Sequence, residues 1–120
     1  MNEIFITLTG FYHYSGLKPL AIGNLVKCIK EPDNVHDTEA IKVVLPTIGK
    51  VAYVANSSTT KAGGTFSAGR VYDQVSEKFY ARILFTTSSK VICRLENGEA
   101  DTLEKELFEQ MSKLLNDDWE

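Results

Sequence analysis

A chain of 120 residues, 43% hydrophobic and 24% charged, is the size of one domain, and its balance excludes a disordered chain. No apolar run approaches the ~20 residues of a membrane span, and the opening MNEIFITLTG has no cationic leader, so no membrane partner and a cytoplasmic location are expected. The formal charge of −3 divides into +4 over residues 1–95 and −7 over residues 96–120, which argues for a polyanion partner of the body, although a solvated acidic helix explains the tail equally well.

Glu3–Thr9 alternates, with Ile4, Ile6 and Leu8 on one face and Phe5 and Thr7 on the other, and reads as a strand that Gly10 ends. FYHYSGLKPLAIGN is an aromatic-rich connection punctuated by Gly16, Pro19 and Gly23. Asn24–Lys30 and Ala40–Leu45 are the second and third strands, and PTIG turns the chain into a fourth, Lys50–Ala55. That strand places Val51 and Tyr53 on one side and Ala52 and Val54 on the other. NSSTTKAGGTFSAGR is a long polar loop, with a short helix expected over Ser67–Val75. Phe79–Phe85 alternates through Phe79, Ala81, Ile83 and Phe85 and forms a last hairpin with Val91–Leu95. The closing segment is helical, with Leu103, Leu107, Phe108, Met111, Leu114 and Leu115 on one stripe and Asp101 with Glu104 as a capping box.

Six short strands and a terminal amphipathic helix make a mainly β fold, a small barrel or sandwich. The expected organisation is a β-barrel domain over residues 1–95 and an acidic helix over 96–120, packed on or beside it. Cys28 and Cys93 fall in apolar strand segments and read as buried packing, and without a CxxC or His-rich cluster no metal or other cofactor is expected.

Two stretches suggest chemistry. In EPDNVHD, Pro32 fixes the turn, Asp33 and Asn34 are suited to Asx-turns, and Asp37 stands ahead of the third strand. Its carboxylate either pins the loop through backbone N–H groups or also offers an acceptor to a ligand hydroxyl, with His36 beside it. In Phe11, Tyr12, His13 and Tyr14, four consecutive rings of an extended chain point to alternate sides, so one or two should be exposed. Exposed rings on a basic body suit single-stranded nucleic acid, whose bases stack on them for roughly 1–3 kcal/mol each. The bland alternative is a satellite cluster under the connection. No spacing marks a nucleophile–base set, and AGG at 62–64 lacks the context of a phosphate loop, so no enzyme is expected.

TGFYHYSG, LVKCIKEPDNVHDTEAIKVV and GKVAYVANS together resemble the HIRAN domain, over roughly residues 6–57. The resemblance implies a modified, six-stranded oligonucleotide/oligosaccharide-binding (OB-like) barrel that binds DNA and, in eukaryotic members, captures the 3′-hydroxyl end of single strands. Carried over, Asp37 in the turn that Asn34 opens accepts the terminal sugar hydroxyl, and His36 stands where the family has a tyrosine. Tyr14 or Tyr12, with His13 between them, supplies the stacking segment, and Tyr53 faces the ligand. The family's phosphate-contacting lysine after the fourth strand is replaced by Asn56, Ser57 and Ser58, which leaves Lys27, Lys30, Lys42 and Arg70 as candidate phosphate contacts. The implied partner is single-stranded or end-bearing DNA. The alternatives are a protein-interaction adaptor docking a partner through the acidic helix and, more remotely, a small hydrolase using His36 and Asp37.

Overall fold

A computed structural model describes residues 3–117. Six antiparallel strands, β1 (Phe5–Thr9), β2 (Leu25–Lys30), β3 (Ile41–Leu45), β4 (Gly49–Val54), β5 (Lys78–Thr86) and β6 (Val91–Leu95), close a barrel in the order β1-β4-β3-β2-β5-β6. A short helix, α1 (Ala68–Tyr72), and a long one, α2 (Ala100–Asp117), complete the fold. Closure pairs every strand on both sides and so removes the exposed edges that an open sheet would present. Among the described residues, no helix is long and apolar enough to cross a membrane.

Ile6, Leu8, Val26, Ile41, Val43, Val51, Ile83 and Val91 are fully buried, as alternating β-branched and leucine side chains require of a barrel interior. Cys28 and Cys93 are buried there too, both unpaired, and burial pushes both thiols upward in pKa. Thr7 points away from the interior, yet it is fully buried because the 57–67 loop covers it. Its hydroxyl accepts from Ala62 N (3.0 Å) and bonds the Thr65 hydroxyl (2.8 Å), while Phe66 N donates to Phe5 O (2.7 Å). The predicted helix over Ser67–Val75 is shorter, Ala68–Tyr72, with Ser67 as its N-cap accepting from Arg70 N at 3.2 Å.

Two bulges break the period-2 pattern. In β5 the register slips between Ile83 and Phe85, which turns Phe85 out to 62% exposure instead of into the core. In β4, Val43 faces Ala52 but Val44 faces Lys50. Val51 is the extra residue and is buried alongside Ala52, so Lys50 joins Tyr53 on the outer face and Val51 does not share Tyr53's side.

The stripe of α2 is also narrower than its composition suggests. Leu103, Leu107 and Met111 are buried, but Phe108 is 70% exposed, because one residue of helix is a 100° turn away from Leu107. The capping box does not form: the helix already includes Ala100, Asp101 lies in its first turn, and Glu104 is engaged elsewhere. Glu104 pairs with Lys27 (2.6 Å) and accepts from the Tyr80 hydroxyl, which, buried and bonded, is pushed up to about 12. Glu106 binds Arg82, which also reaches Glu96 (3.1 Å). Gln110 closes the seam, accepting from Leu25 N (2.7 Å) and donating to Leu25 O (2.8 Å). The acidic tail thus neutralises Lys27 of β2 and Arg82 of β5, two and three places around the ring from β4.

Candidate nucleic-acid interface

The turn before β3 is built by side chains bonding to their own backbone. Glu31 N donates to Ala40 O (2.8 Å), which closes the loop at its neck. Asn34 Oδ1 accepts from His36 N (2.9 Å) and Asp37 N (3.1 Å), and Asp37 Oδ1 accepts from Glu39 N (2.9 Å). These are two consecutive Asx-turns, at Asn34 and Asp37; Asp33 stays exposed. The second carboxylate oxygen, Asp37 Oδ2, accepts from Asn56 Nδ2 (2.7 Å), while Asn56 Oδ1 accepts from Gly69 N (2.7 Å). A cross-brace therefore runs from the turn through the end of β4 to α1.

Glu31 is the hub on the other side. Its Oε1 accepts from Asn34 Nδ2 (2.7 Å) and the Tyr53 hydroxyl (2.7 Å), and Lys50 and Lys42 lie 3.6 and 3.9 Å from its Oε2. The hydrogen bonds from Asn34 and Tyr53 hold its carboxyl below the ordinary carboxylate range, with the two lysines assisting. Lys50 Nζ donates to the Tyr53 hydroxyl (2.6 Å), which raises the lysine's pKa, while desolvation raises that of Tyr53. The ammonium lies 4.7 Å from the Tyr53 ring centroid and meets that residue through its hydroxyl; it is also 5.9 Å from the Tyr14 centroid.

Tyr14, Asn34, His36, Asp37, Ala40, Tyr53 and Val54 line an open hollow of about 390 Å³. Five residues named from the sequence, Tyr14, Asn34, His36, Asp37 and Tyr53, are thus brought together. The aromatic segment is not extended: Gly10, at a left-handed φ of 76°, turns the chain into a 3-10 turn over Phe11–His13. That turn buries Phe11 and exposes Tyr12 and His13, which stand outside the hollow's lining, whereas Tyr14 beyond it reaches the floor.

The phosphate candidates divide. Lys27 is spent on Glu104, and Lys30 donates to Val75 O (2.8 Å) with its ammonium 4.5 Å from the centre of the Tyr72 ring. Arg70 stacks on Phe66 at 3.9 Å, on α1 and outside the hollow's lining. Lys42 remains beside Glu31. Lys50, which sequence reasoning passed over, is the cation next to both tyrosines. Its only signal was its spacing of three from Tyr53, which becomes a shared face once β4 bulges.

Among the described residues, Asp37 accepts from Glu39 and Asn56 but not from His36, so the histidine and the aspartate form no dyad. Nor is any cluster of three His, Cys, Asp or Glu among those residues placed to hold a metal ion. An ionised carboxylate has about four lone-pair directions. Two donors reach Asp37, so it retains acceptor capacity toward the hollow.

The family model described as HIRAN domain matches residues 1–96. No curated protein aligns with the chain. Among solved structures, the chain is similar to the crystal structure of the HIRAN domain of human HLTF, with 15% identity and a TM-score of 0.57, covering 94% of this chain and 88% of that one. At that identity the likeness concerns the fold, and its extent carries it past residue 96 into α2.

Proposed function

The chain belongs to the HIRAN domain family, and from that premise we propose that it is a nucleic-acid-binding module that takes the 3′-hydroxyl end of single-stranded DNA without chemically altering it. One observation carries the reading. A half-buried carboxylate, fixed in place by one donor on each oxygen, keeps unfilled acceptor directions on a hollow whose lining includes two tyrosines. A sugar hydroxyl is a donor and meets that carboxylate favourably. A terminal phosphate is a dianion at neutral pH and is repelled by it. Tyr14 and Tyr53 supply ring faces for the terminal bases, and His36, exposed at the rim, adds a ring or a donor.

The reading is tested by titrating one labelled oligonucleotide ending in a 3′-hydroxyl or a 3′-phosphate. Preference for the hydroxyl end supports end capture, and equal affinity overturns it. The adaptor reading has one observation in its favour, Phe108 at 70% exposure on α2. It predicts that Phe108→Ala abolishes a protein contact and leaves oligonucleotide binding unchanged.

A further inference from the structure

Asp37 lines the hollow as a single negative charge with acceptor capacity left. Lys42 and Lys50 stand outside that lining and share one glutamate, Glu31, so this group carries one net positive charge. Tyr53, which does line the hollow, joins the two, bonded to both Glu31 and Lys50 through its hydroxyl.

We infer that Lys50 forms a phosphodiester subsite adjoining the sugar subsite, contacting the linkage immediately 5′ of the terminal nucleoside. The inference rests on the end-capture reading above and adds the direction in which the strand lies. A nucleoside carries its hydroxyl and its 5′ phosphate on opposite sides of the sugar. If the hydroxyl meets Asp37 while the base stacks on Tyr14 or Tyr53, the phosphate falls toward the cation beside those rings. Lys50 suits this role for three reasons. Its side chain is a third exposed, so it is not sealed off from a ligand. Its three N–H donors exceed its one hydrogen bond, to Tyr53. Its position is fixed, because Tyr53 and Glu31 hold the ammonium before any ligand arrives, which lowers the ordering cost of binding. Lys27 and Lys30 point to other partners and Arg70 stacks on Phe66, whereas Lys50 reaches both tyrosines of the hollow's lining, so the cation that answers the terminal linkage comes from the start of β4, put there by the bulge at Val51.

The test is a double-mutant cycle between protein and ligand. The full chain and its Lys50→Gln variant are each titrated with 3′-hydroxyl oligonucleotides whose last linkage is either a phosphodiester or an uncharged methylphosphonate. Lys50→Arg serves as the charge-retaining control, and thermal melts verify that all three fold. Neutralising the last linkage should weaken wild type and Lys50→Arg by about fivefold, as befits a partly exposed ion pair, and should scarcely change Lys50→Gln. Moving the methylphosphonate several linkages inward should remove the coupling to Lys50. Equal losses in wild type and Lys50→Gln, with preference for the hydroxyl end retained, overturn the Lys50 assignment alone. Loss of that preference in wild type overturns end capture and this inference with it.

Discussion

Asp37→Asn keeps the side chain's shape and removes its charge. On the protein side the cost is small and definable. Gly69 N fixes the Asn56 amide with its oxygen toward α1, so Asn56 must present N–H to position 37. The new amide can accept from Glu39 N or from Asn56, but in either orientation its NH2 faces the other donor. One hydrogen bond is lost, about 0.5–1.5 kcal/mol of loop stability, too little to unfold the chain. On the ligand side, a hydroxyl bound to a charged acceptor is worth about 1.5–3 kcal/mol and to a neutral one about 0.5–1.5. The difference of about 1–1.5 kcal/mol is roughly a tenfold loss of affinity for 3′-hydroxyl ends. The 3′-phosphate end should gain in the same variant, since the repelling charge is gone, so the ratio of the two affinities collapses from both sides. Fluorescence anisotropy with 5′-labelled strands at fixed low salt measures both. A folded Asp37→Asn protein that retains wild-type affinity and the wild-type ratio refutes the claim that this carboxylate reads the terminus.

Salt dependence should be shallow. With Lys42 and Lys50 as the phosphate contacts, the slope of log K against log salt should be about −1.4, and a slope steeper than about −3 points to a larger basic track elsewhere. Stability should fall in acid: hydrogen bonds from Asn34 and Tyr53 to Glu31, from Lys27 and Tyr80 to Glu104, and from Arg82 to Glu106 depress all three carboxyls. A depressed folded-state pKa contributes stability above the unfolded value of about 4.3 and loses it as pH drops through the folded one. Melting temperatures should therefore decline below about pH 4.3, and less so in a Glu104→Gln, Glu106→Gln double variant; an identical decline refutes the assignment to α2. The face of α2 is checked by contrast: Leu107→Ala should cost about 2–5 kcal/mol, and Phe108→Ala should stay within about 0.5. Comparable losses in chemical denaturation would mean that the helix is rotated about its axis.

The six strands and the closing helix were legible because apolar spacing is a local property that burial of one face imposes on each segment. The turn at Asn34 and Asp37 was legible for the same reason, since an Asx residue bonds a backbone only two or three places away. The bulges were not. Val51 and Phe85 obey period 2 in the sequence, and only pairing with β3 and β6 shows where an extra residue is inserted. Nor was the burial of Thr7, which depends on a loop some fifty residues later folding over β1.

Residue types settled which chemistry was on offer: carboxylates, tyrosines, a histidine and scattered lysines. Three-dimensional packing decided which of them meet. A cation's usefulness depends on what else lies within a few ångströms, and that is set by partners far along the chain: Glu104 claims Lys27, Val75 claims Lys30, and the shifted register of β4 delivers Lys50 to the tyrosines.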